Sequence, residues 1–377
     1  MEKHVSFERL ARLRELLNEK ECKAIYLRDE PSIQWLCGFD GVMDGGGAFS
    51  LFVTQDVALL HTDSRYEVAV KRAAQDSAIE ADFEKISHAE AAVKGIFEEL
   101  GYFIGCANIA IEDGLSLREY RQLQNFLSKK DQLKDLNLVE TSSFVGQLRA
   151  VKDVGEIARL RNAQKITDAA FAHIKEYVRP GMTEREVQLE LEHFMCCAGA
   201  EGLAFSSIVA TGANGACPHS IPGNTVLEAG QCVVLDFGAK KDSYCSDMTR
   251  MLFLGEPNSE MKSAYAALRS ANETVEAALH PGVTGKEMHE LAESVLASCG
   301  FGNMMGHGLG HGVGLEVHES PLLSPRYDKV LVPGNVVTVE PGIYKAGEFG
   351  MRLEDFGVLT ETGFDVFTQS SHDMVII

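Results

Sequence analysis

No stretch of this 377-residue chain approaches the ~18 consecutive apolar residues that a membrane-spanning helix needs. Met1 to Lys20 is charged throughout and lacks the apolar core of a secretory signal. Basic residues are also in short supply. The 35 Lys and Arg stand against 55 Asp and Glu, a formal charge of −20 that argues against nucleic acid or an anionic membrane as partner. Among nine cysteines there is no Cys-x-x-Cys pair, which argues against a zinc–thiolate site. Their odd number in a long chain predicts buried thiols in a reducing cytoplasm. What is present is the text of an ordinary globular protein, 45% hydrophobic and 24% charged, and long enough for two domains.

Phe7, Leu10, Leu13, Leu16 and Leu17 recur at helical spacing and predict an opening amphipathic helix over 5–20. Short apolar runs at 24–27, 49–53 and 57–60 read as strands, and 64–75, 87–100 and 116–129 as helices. That alternation predicts an α/β domain over residues 1–146. Gly45–Gly47 reads as a loop and not as a phosphate cradle, because neither a helix start nor a lysine follows.

Past residue 147 the pattern changes to one that occurs twice. A helical stretch over 151–178 stops at Pro180-Gly181, and Thr183 with Glu186 forms a capping box for the next helix. Leu160-Arg-Asn-Ala163 is echoed by Leu268-Arg-Ser-Ala271, and Pro180-Gly-Met-Thr183 by Pro281-Gly-Val-Thr284. The first copy is seven residues longer between these marks, two turns of helix. Ala229–Gly238 aligns without gaps on Pro333–Gly342, matching Asp236 to Glu340. Residues 147–377 are therefore expected to form a duplicated domain with a pseudo-twofold axis.

Each matched acid is followed by another, Asp247 eleven residues on and Glu354 fourteen residues on. A hairpin return in each half would bring all four carboxylates to one point, where their repulsion calls for cations. In Gly306–Gly314 glycine occupies every second position, so His307 and His311 are not a helical zinc pair. An extended strand would put His307, Leu309, His311 and Val313 on one face and leave the other bare for close backbone approach. Three residues past Gly308 stands His311, not glycine, which excludes a dinucleotide loop. Beside four acids His311 becomes the natural nitrogen ligand, and His307 a candidate substrate contact. The oxygen-rich set Asp236, Asp247, His311, Glu340 and Glu354 favours two divalent ions, Mn²⁺ first, with Co²⁺ or Zn²⁺ as alternatives. Such a pair suits water-driven hydrolysis of an amide, and the acidic surroundings disfavour a phosphate ester.

At these residues the sequence resembles the aminopeptidase P and prolidase family of metallopeptidases. The resemblance rests on Pro218-His219, Val234–Ala239, Ser246–Arg250, Gly310–Glu319 with Pro321, Thr338–Tyr344 and Arg352–Asp355. It also extends to Trp35–Phe39 and Thr62–Tyr66. It implies a creatinase-like N-terminal α/β domain and a catalytic pita-bread domain. By that resemblance Asp236 chelates one metal, Asp247 and Glu354 bridge both, and His311 and Glu340 complete the shells. Glu340 exchanges protons with water, His219 and His318 hold the substrate carbonyl and the tetrahedral intermediate, and Arg352 orders the surroundings. The implied substrate is a peptide or dipeptide with proline second, cut before the proline. The implied assembly is a homodimer in which segment 39–47 lines the partner's cleft. Gly357 replaces a commoner β-branched residue, which leaves the adjacent substrate wall open. Metal-free creatinase-like hydrolases and non-catalytic peptide-binding modules share the fold, but neither class explains five intact ligands. Methionine aminopeptidase, without so large an N-terminal domain, fits less well.

Overall fold

The computed structural model describes residues 4–83, 108–129, 131–133 and 135–377, so the helix expected over 87–100 and Cys106 lie outside it. The chain divides into two compact units, Met1–Arg149 and Ala150–Ile377.

In the first unit β1 (Ala24–Leu27), β2 (Ser50–Thr54), β3 (Ala58–His61), β4 (Glu80–Asp82), β5 (Asn108–Glu112) and β6 (Asn137–Thr141) form one sheet in the order β4-β3-β2-β1-β5-β6. Apolar side chains explain the central position of β1: Tyr26, with Phe52, Ile109 and Ile111, packs against Leu123 and Leu127 of the helix Leu117–Ser128. The helix Val5–Glu19 buries Leu10, Leu13 and Leu17, as their spacing predicts. A helix over Glu30–Cys37, capped by the Asp29 side chain, was not expected from the sequence. It matters for the triple glycine, since the buried Glu30 carboxylate accepts from Gly45 N–H at 2.8 Å and Ala48 N–H at 3.1 Å. A side chain of the same unit thus occupies the loop's donors.

The second unit holds the duplication. Helices Val154–Tyr177 and Glu184–Cys197 form one pair, Ser259–Ala278 and Gly285–Ser298 the other. Thr183 with Glu186 and Thr284 with Glu287 make matching capping boxes. Both first helices end three residues before their proline, so the extra length of the first copy is taken up as helix. Matching turns need left-handed backbone that glycine adopts without strain: Gly181 and Gly282 have φ of 96° and 105°, Gly230 and Gly334 both 86°.

The strands of this unit are β7 (Gly202–Leu203), β8 (Ile208–Thr211), β9 (Cys232–Phe237), β10 (Ala239–Lys241), β11 (Tyr244–Cys245), β12 (Met248–Phe253), β13 (Gly310–Gly312), β14 (Glu319–Leu323), β15 (Val336–Val339), β16 (Gly342–Lys345), β17 (Phe349–Arg352), β18 (Asp355–Leu359), β19 (Phe364–Val366) and β20 (Val375–Ile376). Sheets run β20-β12-β9-β8, β11-β10-β7 and β15-β18-β19, with pairs β13-β14 and β16-β17. β9 pairs antiparallel with β12, and β15 with β18, the hairpin returns expected of the two acid pairs.

Alternation along β9 decides what faces what. Val233, Leu235 and Phe237 pack under the first helix pair, whereas Cys232 and Val234 belong to the core of the second. A strand buried on both faces reads as a continuous apolar run. Asp236, in phase with Cys232 and Val234, therefore points toward the second half. On β12, Met248 and Leu252 join the first core and Met251 and Phe253 the second, which sends Thr249 the same way.

One expectation is corrected. The strand through the glycine-rich segment spans only Gly310–Gly312, with bends at His307 and Leu309 and an irregularity between His311 and Gly312. Leu309 and Val313 are wholly buried, Leu309 in the second core, so they do not share an open face with the histidines. The bare glycines do admit backbone: a Cβ on Gly310 would overlap the Thr338 carbonyl, and one on Gly312 that of Ser320. The cysteines are corrected too. Cys22, Cys37, Cys232 and Cys245 are buried, but Cys196, Cys197, Cys217 and Cys299 are exposed, at helix ends and on a loop where little packs over them.

Gly238, between β9 and β10, lies against the Ser246 carbonyl, which a Cβ would overlap, whereas Gly363 has nothing within 4 Å. Gly238→Ala should lower the unfolding free energy in urea by about 1–3 kcal/mol, and Gly363→Ala by well under ~1 kcal/mol. Equal midpoints for the two variants would contradict this close approach.

Candidate metal centre

Hairpin ends bring the five predicted ligands into one neighbourhood. Asp236 is the penultimate residue of β9, Asp247 precedes β12, His311 is the middle of β13, Glu340 follows β15, and Glu354 lies between β17 and β18. Ligand atoms of Asp247, His311 and Glu354 lie within 4.8 Å of one another. Glu340 Oε1 stands 3.3 Å from His311 Nε2, and Asp247 Oδ2 3.6 Å from it. Asp236 is turned differently, with Oδ2 accepting from Arg352 Nη2 while Oδ1 is buried with no hydrogen-bond partner.

Two threonine hydroxyls brace the acids, Thr249 holding Glu354 across the strands and Thr338 holding Glu340 two positions on. Thr249 Oγ donates to Glu354 Oε2 at 2.6 Å and accepts from Arg352 Nε at 3.0 Å. Thr338 Oγ donates to Glu340 Oε1 at 3.1 Å and accepts from the His311 N–H at 3.0 Å. Neither threonine was picked out from the sequence, although both lie in the quoted motifs, two residues from Asp247 and Glu340. The i, i+2 spacing was the available signal. Tyr344, likewise missed, accepts from Arg352 Nη1 at 3.0 Å and bridges to His307 Nε2 at 3.1 Å.

Burial dominates the electrostatics. It raises the Asp247 and Glu354 carboxyls well above the usual range, and the neighbouring acids push them further. Glu340 is raised by burial as well, with Arg352 and His307 opposing. Arg352 is the compensating charge: burial works against its cation, but Tyr344, Asp236, Glu340 and Glu354 together hold its pKa well above normal. Burial lowers the His311 pKa, which favours the neutral imidazole. The Gly312 carbonyl lies 3.1 Å from Nδ1, which fixes the proton there and leaves Nε2 as a lone pair. His311 is therefore no ion-pair partner for Asp247 and Glu340, despite the short distances. A lone pair aimed at carboxylate oxygens is repulsive unless a proton or a cation lies among them. With the orphaned Asp236 Oδ1, this donor set of carboxylates and one imidazole fits divalent ions.

A cavity of about 610 Å³ opens over the acids, lined also by His219, His307, His318, Arg185, Gln188, Phe205 and Ile221. The last four were not singled out from the sequence, although Arg185 lies inside the Thr183–Glu186 capping box and Ile221 two residues past His219. The His318 ring centroid lies 4.4 Å from that of His311, and its pKa is lowered by burial and by the two neighbouring histidines. His307 donates from Nδ1 to the Gly308 carbonyl at 2.6 Å, and burial lowers its pKa. His219 is an exposed residue of the loop after β8. Gly357 is not in the cavity wall: β19 packs on it, and a Cβ would lie 2.5 Å from the Asp365 carbonyl oxygen.

A second group with ligand spacing, Glu276, Asp355 and His372, has no such need of an ion. Arg250 Nη2 donates to Asp355 Oδ1 and His372 Nε2 to Asp355 Oδ2, each at 2.6 Å. Burial and the Asp355 charge raise Glu276 to about 8, so it is largely neutral at neutral pH. Both Asp355 oxygens are thus bonded, by Arg250 and by His372, while Glu276 Oε1 is buried without a hydrogen-bond partner.

Residues 158–361 match the model of metallopeptidase family M24, and residues 9–151 that of the creatinase/prolidase N-terminal domain. The Xaa-Pro dipeptidase of Pyrococcus horikoshii is 30% identical over 98% of this chain and 99% of its own. Among solved structures, an Xaa-Pro dipeptidase from Bacillus anthracis is 35% identical with a TM-score of 0.89, over 99% of this chain and all (100%) of that one. An X-Pro aminopeptidase from Thermotoga maritima is 34% identical with a TM-score of 0.82, over 98% and 100%.

Because their carboxyls are raised, the folded metal-free protein binds more protons than the unfolded chain. Its stability should fall as pH rises from about 4 toward the raised values. Asp247→Asn removes one of these charges. Without metal, the variant at pH 7 should be more stable than the parent by roughly 1 kcal/mol or more, and the rise in Tm on adding Mn²⁺ should vanish. A metal-free variant less stable than the parent, with its Mn²⁺ response intact, would refute this account of the site.

Proposed function

The chain belongs to metallopeptidase family M24, a family of divalent-metal enzymes, and we propose that within it the protein is an Xaa-Pro dipeptidase working with two divalent ions, Mn²⁺ foremost. The observation that carries this reading is His311 Nε2 standing 3.6 Å from Asp247 and 3.3 Å from Glu340, with Nδ1 turned to the Gly312 carbonyl. Asp236, Asp247, His311, Glu340 and Glu354 would hold the ions. When bound, divalent ions supply Lewis-acid polarisation of the peptide carbonyl and acidify the attacking water.

The remaining work falls to the chain's own groups. Glu340, raised by burial and braced by the Thr338 hydroxyl, is suited to accept a proton from water and return it to the leaving nitrogen. The His318 and His219 imidazoles line the cavity and can donate hydrogen bonds to an oxygen that gains negative charge there. Arg352, gripping Asp236 and Tyr344, fixes the orientation of Asp236 and lowers the repulsion among the acids. His307, oriented through Gly308 and Tyr344, forms wall against which substrate packs.

A cavity of about 610 Å³ suits a short peptide. Its acids attract an N-terminal ammonium, and Arg185 in its lining offers a cation to the terminal carboxylate of a dipeptide. Proline preference comes from the relatives, whose names specify Xaa-Pro substrates. Eight cysteines, all unpaired among the described residues, support a reducing cytoplasm. A homodimer, with segment 39–47 at the partner's cleft, completes the proposal.

Hydrolysis of Ala-Pro, Ala-Pro-Ala and Ala-Ala-Ala, after chelation and readdition of Mn²⁺, Co²⁺ or Zn²⁺, tests it. Ala-Pro alone should be cleaved, only with metal, and Asp247→Asn should reduce turnover to background. Cleavage of Ala-Pro-Ala with Ala-Pro spared would assign an aminopeptidase. Turnover indifferent to chelation would favour a metal-free hydrolase, and none at all with any metal a peptide-binding role.

A further inference from the structure

Glu184, the first residue of the helix Glu184–Cys197, is a carboxylate with 0% exposure. Its Oε1 accepts from the Thr211 N–H at 2.9 Å and Asn214 Nδ2 at 3.1 Å. Its Oε2 accepts from Asn214 Nδ2 at 3.2 Å and the Gly223 N–H at 3.2 Å. These donors flank a loop, and His219 sits on that loop. Backbone bonds reinforce the same junction: Glu184 N–H donates to Thr225 O and Arg185 N–H to Gly223 O, each at 3.0 Å. Asn214 Nδ2 also donates to Thr225 Oγ at 2.9 Å, a direct link between the stems. Cys217 N–H bonds Asn214 O and Ser220 N–H bonds Cys217 O, while His219 and Ile221 are exposed. On its other side Gly215 meets Gly350 of β17 backbone to backbone, with no room for a Cβ on Gly350.

The duplication supplies an internal control. Gly285 follows Thr284 as Glu184 follows Thr183, and a Cβ on Gly285 would overlap the Leu322 carbonyl of β14. β14 begins immediately after His318. Each half thus supports a histidine-bearing segment from the first residue of its second helix. One half does so with a buried carboxylate, the other by having no side chain at all.

The geometry points to Glu184 as a positioning residue that holds His219 at the cleft by joining both stems of its loop. This rests on the reading of His219 as a substrate-facing group. A carboxylate accepts from donors on both oxygens, whereas an amide keeps one acceptor and turns an N–H against a buried N–H. Glu184→Gln should therefore displace the loop without opening the core.

A double-mutant cycle on the Mn²⁺-loaded full chain, read on whichever of the three peptides is cleaved, tests this. Glu184→Gln should lower kcat roughly 10- to 100-fold with a smaller change in KM. In the His219→Ala background the same change should alter kcat less than about twofold. Equal losses in both backgrounds would mean that Glu184 acts on the fold generally, and the proposal fails. Should His219→Ala alone leave kcat unchanged, the role of His219 fails first and takes this inference with it. Asn214→Ala, which removes the amide bridging both Glu184 oxygens, gives the same cycle if Glu184→Gln does not fold. The His219 ring resonance needs no turnover: it should shift in Glu184→Gln, and an unmoved signal overturns the proposal.

Discussion

Like charges held together out of water are the constraint around which the larger unit is organised. Asp247 and Glu354 are almost wholly buried, Asp236 and Glu340 nearly so, and Arg352 is the cation buried among them. The neutral state of His311 makes the conflict sharper, because its free nitrogen adds electron density where acids already crowd. Such an arrangement is costly to fold, and divalent cations held there would relieve it. The hydroxyls of Thr249 and Thr338 serve this requirement. Each spends its proton on a carboxylate and receives one from a donor behind it, so the acids keep their remaining lone pairs turned inward.

The duplication is the device that makes the convergence affordable. Each half has its own helix pair over its own strands, so neither depends on the acids for its core. β9 and β12 lie between both cores, and their side chains alternate between them. An acid in phase with the second core must then face the second half, and its counterpart returns the approach. Where the halves differ, the difference falls at the cleft: Glu184 against Gly285, an exposed His219 loop against the β13-β14 pair that carries His311 and His318. The symmetric part is the scaffold, and the asymmetric part is the wall that a substrate meets.

The two groups of acids with ligand spacing show why spacing alone does not identify a metal site. Around Asp355, Arg250 and His372 each bond one carboxylate oxygen. Around Asp247 the single arginine is shared by four carboxylates and the histidine is neutral. The relatives and solved structures, similar over nearly the whole chain, are Xaa-Pro peptidases.

Much of this was legible in the chain before any fold was known. Paired marks such as Pro180-Gly-Met-Thr183 and Pro281-Gly-Val-Thr284 revealed the duplication, since capping boxes and glycine turns are local chemistry. Asp236 and Glu340, aligned by that repeat, with Asp247 and Glu354 a hairpin's length beyond, named the acids. The burial of Leu309 and Val313, the partners of Arg352, and the cavity residues Arg185, Gln188, Phe205 and Ile221 could not be read that way. They depend on bends in β13 and on contacts between segments more than a hundred residues apart, as in Arg352 to Asp236. Local propensity and periodicity settle which residues form an element and which face of it is apolar. Which elements then meet, and which buried charge is left without a partner, is settled only when the whole chain has packed.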